Sequence, residues 1–181
     1  MLRWQTRTRE SNNSMKLTKV SKSDEERGWS FDQAKVRTDL FHLLSIFLAE
    51  KQLAEELKGT DDPLWVLASL GEPETTRLLI STAIVGRVLD DKRGRDEHRD
   101  EVSVGRLLMN DAVTNLSMRE AFNKIIHAVE FSLFMSEPNE RGFCYLAPII
   151  EVSGTLGRNQ WSAEIDIIEY VRQFQRVFLS D

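Results

Sequence analysis

The sequence contains one cysteine, Cys144, which excludes an intramolecular disulfide and a cysteine-rich zinc site. Its three histidines, His42, His98 and His127, are scattered and join no acidic cluster, so no metal site is expected. Long apolar runs are also missing. Leu78-Leu79-Ile80 and Ala83-Ile84-Val85 are each broken by polar residues within a few positions, well short of a bilayer span. The N-terminus has arginine and serine but no apolar signal-peptide core. By elimination the expected location is the cytoplasm, without a membrane. An excess of positive charge is lacking too: the net charge of −5 argues against coating nucleic acid through bulk electrostatics. Gly154 and Gly157 suit a turn, and no helix start follows closely enough to make a phosphate loop, so no cofactor is expected.

What is present suffices for one sizeable core, with 41% of 181 residues hydrophobic. Charge is uneven: residues 1–22 carry six basic side chains against Glu10 alone, +5, which leaves −10 for the rest. A basic arm on an acidic body can contact RNA or be a solvated tail. Ser11-Asn-Asn-Ser14 and Ser21-Lys-Ser-Asp-Glu-Glu26 give it little to bury and favour the tail. Met15 offers a second start beside Met1. The domain reading is a disordered arm over 1–28 and a single domain over 29–181.

Helical spacing runs from Phe31 to Leu57, with Val36, Leu40, Phe41, Leu44, Phe47 and Leu48 on the apolar stripe. Lys58-Gly59-Thr60 stops it, Pro63 starts a short helix through Leu70, and Gly71-Glu72-Pro73 breaks the chain again. Glu74 to Asp91 is apolar around most of its circumference and reads as the central, most buried helix. Asp90 to Glu101 reads as a charged loop, and Val104 to Val113 as another short helix. Ser117-Met-Arg-Glu120 is a capping box, predicting a helix from Met118 to about Val129 with Phe122, Ile125 and Ile126 facing the core. The period then turns to two. Phe131, Leu133 and Met135 alternate with Glu130, Ser132 and Phe134, Phe143 to Ser153 is rich in β-branched and aromatic residues, and Trp161, Ala163, Ile165 and Ile167 alternate cleanly. A closing helix carries Tyr170, Phe174 and Phe178 on one side. The predicted class is mainly α: a helical bundle with a C-terminal antiparallel hairpin or three-stranded sheet and a closing helix.

On the capped helix Arg119, Asn123 and His127 are spaced four and four, and each step of four turns only about 40° around the axis. One polar strip results. Its residue types suit metal-free RNA cleavage: a histidine to move the 2′-hydroxyl proton, an arginine to hold a phosphate, an asparagine to orient either. They equally suit the solvated or hydrogen-bonded side of an amphipathic helix. His42 reads as a structural histidine and Cys144 as a strand residue without a catalytic partner. Arg93 to His98 repeats an arginine–histidine spacing, but in a charged, glycine-containing loop with no apolar period.

The stretch Leu116-Ser-Met-Arg-Glu-Ala-Phe-Asn-Lys-Ile-Ile-His-Ala128 resembles the final core helix of HEPN-type proteins (higher eukaryote and prokaryote nucleotide-binding). Pro148-Ile-Ile-Glu-Val-Ser-Gly154 with Trp161-Ser-Ala-Glu-Ile-Asp-Ile167 is similar to a hairpin of bacterial relatives of that type. The likeness covers the C-terminal third. It implies a small helical, often dimeric protein that binds RNA or cleaves it without metal, as a toxin or phage-defence component, with Arg119, Asn123 and His127 as site residues. The family pattern is an arginine, four to six residues, then histidine, with a polar residue after the arginine. Asn123 takes the polar place, but Phe122 stands where the arginine belongs, and seven residues separate Arg119 from His127. That departure opens the other reading, a non-catalytic module that engages a protein partner.

Overall fold

The structure, a computed structural model, describes residues 32–93, 102–140 and 142–180. The expected arm over 1–28, the onset of order near Trp29 and the arginine–histidine pair of Arg93 to His98 lie largely or wholly outside them.

Asp32 caps the first helix, α1 (Gln33–Glu56), by accepting the amides of Ala34 and Lys35 at 3.0 and 3.1 Å. Val36, Leu40, Leu43 and Phe47 form its buried stripe. Phe41 and Leu48, expected on that stripe, are 66% and 64% exposed, because each lies more than a quarter-turn from its centre. After the one-turn helix α2 (Trp65–Ala68) comes α3 (Gly71–Arg93), which starts earlier than expected and carries Pro73 in its first turn, where its missing amide is no loss. α3 is not apolar all round in effect. Leu78, Leu79, Thr82, Ala83 and Leu89 are buried, while Ile80 and Ile84 face outwards.

The predicted mainly-α class is overturned: the described chain is an α+β protein with a five-stranded antiparallel sheet. The expected helix over Val104 to Val113 is instead a hairpin, β1 (Ser103–Met109) and β2 (Ala112–Ser117). Its turn is Asn110-Asp111, both with positive φ (52° and 61°), which short polar side chains tolerate. The remaining strands are β3 (Glu130–Met135), β4 (Leu146–Leu156) and β5 (Asn159–Asp166), in the spatial order β2-β1-β5-β4-β3. The three expected strands thus gain two neighbours, and the segments Gly154-Thr155-Leu156 and Asn159-Gln160 belong to the ladder rather than to a loop.

One face of this sheet is buried. Leu107, Ala163, Val152 and Phe131 form one cross-strand row on it, and Gly105, Ile165, Ile150 and Leu133 the next. The opposite face carries Arg106, Glu164, Glu151 and Ser132. Alternation along every strand enforces this division. α4 (Met118–Ile126) leaves the β2 edge and delivers the chain to the β3 edge; α5 (Ile167–Phe178) follows β5 directly. α1, α4 and α5 touch the buried face, and α3 packs against α1 and α4 behind them. At their junction Phe122, Tyr170, Phe174 and Phe178 are all buried, with ring centroids 5.4–6.1 Å apart in tilted or edge-on pairs. The Phe122 ring lies directly on the α3 backbone at Gly86, where a Cβ would come within 2.3 Å of it. Only glycine leaves that space.

Candidate functional site

The polar strip rests on α4, and the capping box that predicted the helix is formed. The Ser117 hydroxyl accepts the Glu120 amide at 3.3 Å, and the Glu120 carboxylate accepts the Ser117 amide at 3.2 Å. The helix ends at Ile126, short of the expected Val129, with His127 as its C-cap. The Val129 amide is already committed to the Ser153 carbonyl at 2.8 Å, which draws the chain into β3.

α4 runs antiparallel to α3, so its first turn meets the last turn of α3. There Arg119 donates to Asp90 and Asp91, the latter at 3.1 Å. Asp90 is buried to 8% side-chain exposure and is also approached by Arg87 at 3.5 Å. Two carboxylates at a helix C-terminus oppose its dipole, as does a cation in the first turn of α4; pairing offsets both. Partial burial works against the Arg119 charge, and Asp90 and Asp91 more than compensate, holding its pKa above the ordinary guanidinium value.

Asn123, half-buried, accepts the His127 amide at 3.1 Å through its backbone carbonyl. His127 is exposed at the far end. The strip is therefore one line of residues with two separate ends. Arg119 and His127 are eight residues apart, about 12 Å along the axis at 1.5 Å per residue. Long helical side chains lean towards the N-terminus, so Arg119 leans away from His127 and onto α3. Phe122, in the place of the family arginine, is 0% exposed in the aromatic cluster. Asn123 lies one turn from each end of the strip; Arg119 and His127 are not brought together.

Sequence reasoning did not find the partners of Arg119. Asp90 and Asp91 lie 29 and 28 residues before it, on a helix whose orientation is set by apolar packing. Replacing Arg119 by alanine takes an ion-pair partner from the buried Asp90 carboxylate. Arg87 provides partial relief, so the expected loss is about 1–3 kcal/mol, the range for a buried polar group deprived of its partner. Urea unfolding of Arg119→Ala measures it, and a midpoint equal to that of the unsubstituted protein would show the clamp to be inert.

A concavity of about 740 Å³ opens at the end of the sheet between the Asn110-Asp111 turn, Val129, Glu130 and the β4–β5 hairpin around Arg158. None of the three strip residues lines it. Among the described residues no group of three or more His, Cys, Asp or Glu is placed to hold a metal ion, and no helix is long and apolar enough to cross a membrane. His42 is exposed on α1, and Cys144 is an exposed free thiol in the loop before β4 rather than in a strand.

Fold and strip together define an α+β protein whose sheet is covered on one face and whose candidate site is a helix strip divided between a clamp and an exposed histidine. No protein-family model, curated protein or solved structure matches the chain.

Proposed function

We propose that the protein is a non-catalytic interaction module that engages a protein partner, with the Arg119 end of the strip serving as an internal clamp. The observation that carries this reading is the commitment of Arg119 to Asp90 and Asp91, together with Phe122 in the core at the place of the family arginine. In the HEPN pattern the arginine stands beside the histidine, where a guanidinium can stabilise charge on the phosphate as it develops. Arg119 is held a helix length away from His127. The cytoplasm suits this module, where a lone exposed thiol such as Cys144 stays reduced.

The RNA-cleaving reading that the HEPN resemblance implies is tested directly. Purified protein is incubated with total RNA in the presence of a chelator. The expected result is intact RNA, with His127→Ala melting at the same temperature as the parent because the side chain is exposed. Cleavage that persists with chelator and disappears in a fully folded His127→Ala protein would overturn the module in favour of an enzyme.

A further inference from the structure

We infer that the partner is a second copy of this chain, joined edge to edge through β3 so that two five-stranded sheets become one of ten strands. The inference rests on the interaction-module reading and names the partner for it.

Among the described residues the sheet ends at two edges, β2 and β3, and each presents a row of backbone groups on its outer side. Proteins blunt such edges with lysine, proline, bulges or covering loops. β3 has none of the first two: its sequence is Glu-Phe-Ser-Leu-Phe-Met, with one charge at its first position. The irregular pairing lies opposite, where β4 takes four steps to two of β3 around Pro148. Apolar side chains gather beside this edge: Val129 is 81% exposed, Met135 54%, Ile149 41% and Phe134 40%. At the other edge β2 exposes Val113 beside the polar Thr114 and Asn115.

Self-pairing of β3 is compatible with its charge pattern. Residues opposed in an antiparallel pair point to the same face, so a two-fold axis normal to the sheet must pass through a residue, not between two. With the axis at Ser132, Phe131 meets the partner's Leu133 on the helix side, and Glu130 meets the partner's Phe134 on the open side. No like charges are opposed. Phe131 and Leu133 are each half-buried in one copy, and aromatic–aliphatic cross-strand pairs are stabilising, so pairing completes a row that the edge leaves unfinished. The same operation on β2, centred at Thr114, sets Val113 against Asn115 and completes no apolar row.

Ser132 is exposed and stands on the two-fold axis, which makes it the discriminating position. Sedimentation equilibrium of the full chain should give twice the 20.9 kDa monomer mass at micromolar concentration. Ser132→Lys sets two ammonium groups against each other, offset in part by Glu151 beside each, and should raise Kd about tenfold. Thr114→Lys, on the other edge, should leave it unchanged. In a Cys144→Ser background, Ser132→Cys should form a covalent dimer on mild oxidation, since opposed Cβ atoms lie within reach of a disulfide. A folded parent that sediments as a monomer overturns the proposal. So does a dimer whose Kd is unmoved by Ser132→Lys or raised by Thr114→Lys, or one that fails to cross-link through Cys at 132. The RNA assay is independent of mass, so loss of the dimer and loss of the module reading are separate results.

Discussion

Phe122→Arg should abolish cooperative folding. The substitution sets an arginine at the spacing from His127 that the HEPN pattern has, and it places a guanidinium among Tyr170, Phe174 and Phe178 with the α3 backbone at Gly86 closing the other side. Phe122 is 0% exposed, and an unpaired charge buried there costs several kcal/mol beyond the lost ring. A domain is stable by only about 5–15 kcal/mol, so the loss is comparable to the whole margin. Near-ultraviolet circular dichroism and a thermal scan would show the native aromatic signal and the sharp transition gone. Phe122→Leu is the companion variant; it keeps an apolar side chain and should remain folded with a lower melting point. If Phe122→Arg folded normally and gained RNA cleavage, the helix face would be rotatable and the aromatic cluster would not fix it.

Trp161→Ala should destabilise by about 3–5 kcal/mol, the range for emptying a large core site. Trp161 is 4% exposed and lies opposite Gly154 on the neighbouring strand. A Cβ on Gly154 would stand 2.6 Å from its ring, so the glycine is the floor on which the indole lies. From α4 the Lys124 ammonium sits 4.3 Å above the ring centroid. The alanine variant leaves a hole with Gly154 below it and the Lys124 side chain above. Urea unfolding provides the measurement. An unchanged midpoint would mean that the buried sheet face contributes nothing to holding α4, contrary to the packing described here.

How much of this was legible depended on where the information lies. α4 and α5 were readable because their caps and apolar stripes are local: Ser117 with Glu120, Asp166 with the Glu169 amide, and Tyr170, Phe174 and Phe178 on one side. β5 was readable because Trp161, Ala163 and Ile165 alternate against a covered face. The β1–β2 hairpin was not. Val104, Leu107 and Leu108 fall at helical spacing, and β2 is an edge strand exposed on both faces over Ala112–Asn115, so it has no alternation to show. The turn signal was Asn110-Asp111, without the glycine that usually marks such turns. In the candidate site the three strip residues were found by spacing. What decides their use, the reach of Arg119 to α3, is a contact between distant segments that no local pattern encodes.

The strand order has a consequence for how the chain reaches its native state. β1 pairs with β5, so Gly105 must find Ile165 sixty positions further along the chain, and the two halves of the sheet meet only through that late-made strand. The β1–β2 and β4–β5 hairpins are local and can close early, but they become one sheet only when β5 pairs with β1. Ring closure over so long a span is entropically slow, and half-sheets with open edges are the species most prone to aggregate. In a chain made from its N-terminus, β1, β2 and α4 precede β5, the strand that joins them to β4 and β3 in one sheet.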